Sequence, residues 1–123
     1  MDFLNRQQFL DTVDLPFRDV DLPSPYQGKV RITGLSAEEA SEFANKADGS
    51  VANGVVQANK IPHDIMAELL SRVVTDDKFE RLFTLADVAA INKKSAKTVL
   101  FLAEIALELS GLSDDAKKEA TKN

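Results

Sequence analysis

Apolar and polar positions change their spacing several times along the chain, and each change marks an element. Near the start, Asn5 followed by Gln8 has the spacing of a capping box, in which two side chains satisfy two otherwise unpaired backbone N–H groups. A short helix over about Arg6 to Val13 should follow, with Leu4 and Phe9 placed to close over it as a hydrophobic staple. Phe17 to Leu22 and Lys29 to Thr33 then alternate. Val20 and Leu22 share one face of the first run and Val30 and Ile32 one face of the second, which predicts two strands. The stretch from Pro23 to Gly28 between them is turn-rich and too long for a two-residue hairpin.

Helical spacing takes over at Ser36, which with Glu39 forms a second capping box. Ala37, Ala40, Phe43, Ala44 and Ala47 recur behind it until Asp48-Gly49. From Asp48 to Lys60, Gly49, Asn53, Gly54 and Asn59 are mixed with Val51, Val55 and Val56, a pattern that fits a loop, a mobile arm or a short irregular helix. Pro62 opens the next helix, whose Ile65, Met66, Leu69, Leu70, Val73 and Val74 form a broad apolar face. Thr84 with Asp87 caps another, carried by Leu85, Val88, Ala89 and Ile91. Ser95 is the expected cap of the longest helix, and Gly111 its end. Ser113 to Asn123 carries three acids and three lysines with only two alanines, so it has little to bury and should fray.

Together these elements predict an α+β chain that is mostly α: a helical bundle with a small N-terminal antiparallel strand pair. Residues 1–112 should form a single domain and 113–123 a flexible polar tail; at 123 residues, a core can form without metal or disulfide. Cysteine is absent, which removes disulfides, thiolate metal sites and cysteine nucleophiles, and makes a cytosolic compartment the simple reading. No stretch reaches the roughly 20 apolar residues of a membrane-spanning helix. MDFLNRQQFLDTVDL has neither the basic start nor the unbroken apolar run of a signal peptide.

The net charge of −5 is spread over both halves rather than concentrated. A nucleic-acid binder gathers Lys and Arg on one face to neutralise phosphates, and no such stripe is visible. Thr84 to Val99 does imitate a helix-turn-helix, with Ser95, Lys97 and Thr98 placed to meet bases and Lys93 and Lys94 to meet phosphate. Against a DNA-binding regulator, Thr84 to Gly111 sums to zero charge and its second helix turns apolar from Val99 onward.

Candidate catalytic chemistry is sparse. His63 is the lone histidine, beside Pro62 and Asp64, and a metal site would need two or three more donors near it. The doublets Glu38-Glu39, Asp76-Asp77 and Asp114-Asp115 point about 100° apart if helical, which suits caps and solubility better than a catalytic dyad. There is no Gly-rich phosphate loop and no nucleophile elbow. No enzyme activity, cofactor or metal is expected.

A series of short motifs carries a family resemblance. Leu69-Leu70-Ser71-Arg72 is followed by Thr75-Asp76-Asp77, Arg81-Leu82-Phe83-Thr84, Asp87-Val88, Lys94-Ser95 and finally Leu107-Glu108-Leu109-Ser110-Gly111-Leu112. In this order, over about Met1 to Leu112, the chain resembles the tail assembly chaperones of long-tailed phages. It is similar to the shorter form of a family often made in two lengths by ribosomal frameshifting. The resemblance implies a protein of the host bacterial cytoplasm, absent from the mature virion. It would bind the tape measure protein, keep it soluble and help recruit major tail protein. Where family members often have a Gly-containing turn, this chain has Asp76-Asp77-Lys78-Phe79-Glu80, so a continued helix is the alternative there.

Partner contacts are expected from apolar side chains that a monomer core does not need. Lys97, Phe101, Glu104 and Glu108 share one stripe of the long helix, which sets an aromatic ring where water is expected. Apolar residues also cover most of the remaining circumference, so the helix is either central or shared between the core and a partner. On the second reading Phe101, with Leu102 or Leu109, meets another copy or a tape measure helix. Phe79 and Phe83 complete the candidate set.

Overall fold

A computed structural model of the chain describes residues 2–48 and 51–113. The N-terminal capping box closes as expected. Asn5 Oδ1 accepts from the Gln8 N–H at 2.8 Å, and Gln8 Oε1 accepts from the Asn5 N–H at 3.0 Å, which starts helix α1 (Arg6–Asp11). No residue of α1 is buried, and Leu4 and Phe9 are both exposed, so the expected staple shields neither side chain.

Strands β1 (Phe17–Asp21) and β2 (Lys29–Thr33) pair antiparallel, with Val20 opposite Val30 and Asp19 opposite Arg31. Because strand side chains alternate, Val20, Val30 and Ile32 enter the core while Phe17, Asp19 and Arg31 share the outer face. Ser36 and Glu39 form the second capping box, and α2 (Ala37–Lys46) buries Phe43.

The uncertain stretch after α2 contains a hairpin. Strands β3 (Val51–Ala52) and β4 (Val55–Val56) are joined by Asn53 at φ +54° and Gly54 at φ +77°. A type I′ turn requires positive φ at both central residues, which Asn-Gly supplies at low cost and which matches the natural twist of the paired strands. A 3₁₀ turn, Ala58–Lys60, then leads to Pro62 and α3 (His63–Val73). The chain next forms β5 (Val74–Thr75), which pairs antiparallel with β2 to give the order β1-β2-β5. Thr84 and Asp87 cap a 3₁₀ turn, Leu85–Asp87, and α4 (Val88–Ile91) is only four residues long. Helix α5 (Ala96–Leu109) follows Ser95, whose side chain makes no capping bond. It closes at Gly111, φ +73°, where the Leu112 N–H reaches the Leu107 carbonyl and the Gly111 N–H the Glu108 carbonyl. That bond pair is the Schellman pattern, and glycine fits its left-handed residue.

The expected helical bundle with strands confined to the N-terminus is therefore incorrect. The fold is α+β, with one sheet of three strands and one of two among the described residues, and β3, β4 and β5 lie in the middle of the chain. Val73 ends α3 as its place on the apolar face predicts, but Val74, expected on the same helical face, is extended instead, as the consecutive β-branched residues Val74 and Thr75 favour. Val74 gains more as the inward partner of Ile32 than as another helical turn. Most of the tail expected over 113–123 lies outside the described residues.

The core sits between the sheet, α3 and α5, with α5 packed on both α3 and β2. Ile32, Leu69, Leu70, Val73, Val74 and Leu107 are its most completely buried large side chains. Each stabilises the fold by about 1.5–3 kcal/mol relative to exposure.

Candidate functional site

Helix α5 is shared between core and surface. Its Thr98, Leu102, Ala103, Ala106 and Leu107 face inward, while Lys97, Phe101, Glu104 and Glu108 are exposed. Phe101 retains 37% of its surface and, with Val56, Ala58, Glu104, Ile105 and Glu108, lines an open hollow of about 520 Å³. Leu102 and Leu109 lie seven residues apart, two helical turns, and so share the opposite side. Leu102 is buried and Leu109 partly buried against the core, so neither joins Phe101 in that hollow.

Phe79 belongs to a second surface, on the outer face of the three-stranded sheet. The chain turns at Asp76–Glu80 instead of continuing as helix: Asp76 Oδ1 accepts from the Lys78 and Glu80 N–H groups at 2.8 and 3.0 Å. The Glu80 and Lys78 bonds hold the Asp76 carboxyl below its ordinary pKa. Phe79 supplies the left-handed residue with φ +63°, a conformation usually given to glycine. Its ring meets that of Phe17 edge-on at 5.2 Å, and the Arg31 guanidinium lies 4.6 Å from the Phe79 centroid and 4.7 Å from that of Phe17. Asp19, directly across the strands, takes Arg31 in a fork at 2.6 and 3.0 Å, and the Asp77 carbonyl accepts a further bond at 3.0 Å. The Asp19 hydrogen bond raises the Arg31 pKa, and the same bond lowers that of Asp19.

Phe83 stands at a third place. It is partly buried in an apolar cleft of about 340 Å³ that also exposes Leu22, Tyr26, Leu82, Ala90 and Val99. The five candidate residues thus occupy the α5 hollow, the sheet's outer face, the cleft and the core. Reading of the residues missed Arg31 and Phe17; their signal was the strand alternation, which puts Phe17, Asp19 and Arg31 on one face opposite the apolar residues.

Much of the motif series has structural work. Arg72 reaches Glu42 at 3.3 Å, Glu68 at 3.4 Å and Glu39 at 3.6 Å, and Arg81 reaches Glu39 at 3.0 Å. These pairs tie α2 to α3 and to the segment after β5. Lys46 binds Glu68 at 2.6 Å, which, with Arg72, keeps the Glu68 pKa low. Ser110 Oγ accepts from the Leu35 N–H at 2.9 Å and donates to the Ala106 carbonyl, joining the end of α5 to the exit of β2.

No catalytic arrangement emerges among the described residues. The His63 side chain is 80% exposed, with Asp64 at 3.5 Å, and no group of three His, Asp or Glu is placed to hold a metal ion. The helix-turn-helix reading loses one of its base contacts, because Thr98 is buried, and its first helix shrinks to α4. Among the described residues no helix is long and apolar enough to cross a membrane.

No protein-family model matches the sequence, and no curated protein is significantly similar to it. The structure of the bacteriophage HK97 tail assembly chaperone superposes with a TM-score of 0.57 at 17% sequence identity, covering 77% of this chain and 85% of that one. The motif resemblance and the three-dimensional likeness point to the same fold. The chain has the fold of a phage tail assembly chaperone.

Proposed function

We propose that this protein is a tail assembly chaperone that binds the tape measure protein, keeps it soluble and helps recruit major tail protein during tail building. The observation that carries this reading is the fold shared with the HK97 tail assembly chaperone over most of both chains. The work is binding without chemistry or cofactor, in the host bacterial cytoplasm, and the protein does not remain in the mature virion.

The client surface is the outer side of α5. Phe101 and the partly buried Ile105 present an apolar patch flanked by Glu104 and Glu108, a form suited to the apolar stripe of a long amphipathic helix. Masking that stripe until tail subunits arrive keeps the client from aggregating. The net charge of −5 keeps the complex itself in solution. Co-expression tests the proposal directly. The wild-type chain should bring a tape measure protein into the soluble fraction, and Phe101→Glu should fail to do so while keeping the wild-type circular dichroism. A client that stays insoluble with the wild type, or is rescued equally by Phe101→Glu, would remove this function or this surface respectively.

A further inference from the structure

After α5 the chain arrives at the rim of the hollow that holds Phe101, and two backbone contacts bring it there. The Leu112 N–H returns to the Leu107 carbonyl, and the Leu112 carbonyl accepts from the Val56 N–H at 2.9 Å. Val56 and Ser113 both line the hollow, together with Phe101, Glu104, Ile105 and Glu108. Residues 114–123 therefore set out from the hollow's own edge.

The length and charge order of that segment match the surface it meets. From Glu108 back to Phe101 the helix rises about 10 Å over seven residues. Four extended steps from Ser113 to Lys117 cover up to about 14 Å. Lys117 and Lys118 are thus the first cations after α5 within reach of Phe101 and Glu104, while Asp114 and Asp115 stay near the level of Glu108. There Glu108 is already paired with Arg18 at 3.3 Å, so the two acids meet a cation as well as a carboxylate. Glu104 is exposed and in no ion pair among the described residues. A lysine stem covers an aromatic ring while its ammonium group reaches a neighbouring carboxylate. Phe101 and Glu104, three positions apart on one helical stripe, present that pair of acceptors side by side.

We propose that residues 114–123 fold back along α5 and cover the hollow, with Lys117 and Lys118 over Phe101 and their ammonium groups toward Glu104. Surface Lys–Glu contacts are weak, so the cover yields to a partner with more apolar area to bury. Its effect on client binding rests on the client surface argued above; the cover itself does not.

The full chain without a client tests the cover first. The chain has no cysteine, so a nitroxide on Ala120→Cys reports where the segment lies. Amide signals of Val56, Phe101 and Glu104 should be broadened by it. That broadening should fall about threefold or more with Lys117→Glu and Lys118→Glu, and return when Glu104→Lys is added, since the charge pair is then restored with its signs exchanged. Broadening that ignores the charge reversal, or that Glu104→Lys does not bring back, would overturn the cover. With an amphipathic tape measure peptide as probe, the Lys117→Glu, Lys118→Glu chain should bind about threefold tighter than the wild type, because the open face no longer has to be released first. Equal or weaker binding would overturn the shielding of that face. A chain that shows the charge-dependent broadening but binds no tape measure peptide would count against the client surface and not against the cover.

Discussion

The guanidinium of Arg31 lies 4.6 Å from the ring centroid of Phe79, and Phe79 holds that ring in place from a backbone φ of +63°. A bulky L-residue in this conformation sits about 1–2 kcal/mol above its relaxed backbone, so the ring contacts and the Asp76 turn hold a strained position. Replacing the ring by Ala or by Gly loses the same contacts with Phe17 and Arg31, but only Gly releases the strain. Phe79→Gly should therefore be more stable than Phe79→Ala by about 1 kcal/mol, or roughly 4 °C in melting temperature. Equal melting temperatures for the two variants would mean that the turn stores no strain at residue 79.

Three carboxylates have folded pKa values below their ordinary ones: Asp76 through the Glu80 and Lys78 N–H groups, Asp19 through the Arg31 hydrogen bond, and Glu68 through the Lys46 hydrogen bond. A depressed folded pKa stabilises the native state fully above the unfolded value, here 3.8 for Asp and 4.5 for Glu. The contribution disappears as pH falls through the lower folded values. Urea midpoints should thus be flat from neutrality down to about pH 5 and then fall. Glu68→Gln should start lower at pH 7 and fall less steeply below pH 5. An acid limb identical to that of the wild type would show that Glu68 takes no part in it.

Local signals made much of this fold legible. The capping boxes at Asn5–Gln8, Ser36–Glu39 and Thr84–Asp87 each satisfy their own N–H groups within four residues, so no tertiary information is needed to find them. The β1–β2 pair was readable because alternation of Val20, Val30 and Ile32 is itself the burial pattern. The Val51–Val56 hairpin was also legible in principle, since Asn53-Gly54 between short valine-containing runs is a strong two-residue turn signal; surrounding polar residues obscured it. Strand β5 was not legible. Two residues carry no period, and Val74 becomes a strand only because Ile32 offers a ladder partner more than 40 residues away.

The candidate surface was harder to read for a related reason. Helical spacing correctly set Phe101 on the polar stripe of α5, but it could not say that Leu102 and Leu109 turn inward, because apolar residues fill most of that helix's circumference. The Arg31 cluster needs the register of two strands and a turn from later in the chain to come together. Where the resemblance implies a Gly-containing turn, Phe79 takes the left-handed position and Asp76 holds the turn, a pairing that no local spacing announces.

Gly34 and Gly28 flank β2 in unequal surroundings. A Cβ on Gly34 would sit 3.0 Å from the Leu109 carbonyl oxygen and 3.2 Å from the Pro16 ring, whereas one on Gly28 would meet nothing within 4 Å. Gly34 is thus where Pro16 before β1, the end of β2 and the end of α5 converge. Gly34→Ala should cost about 1–3 kcal/mol through overpacking, and Gly28→Ala less than about 0.5 kcal/mol. Chemical denaturation of the two variants under identical conditions measures the difference. Equal stability would mean that α5 can shift away from β2 freely.

Division of α5 into a core side and a partner side makes the sharpest separation between stability and function. Leu107 is 2% exposed and Phe101 37%, although they lie six residues apart on one helix. Leu107→Ala removes methyl groups from a packed interior and leaves a cavity, so it should lower unfolding free energy by about 2–5 kcal/mol. Phe101→Ala leaves no enclosed void, since its ring borders an open hollow, and should cost about 1 kcal/mol or less. Client binding should reverse that ranking: Phe101→Ala weakens it at a protein concentration where the fold is intact, and Leu107→Ala lowers it only in proportion to the unfolded fraction. Urea unfolding of each variant, followed by pull-down of the tape measure protein below the unfolding transition, gives both rankings from the same samples. If Phe101→Ala matches Leu107→Ala in lost stability, the ring belongs to the core, and the client surface must be sought elsewhere on the chain.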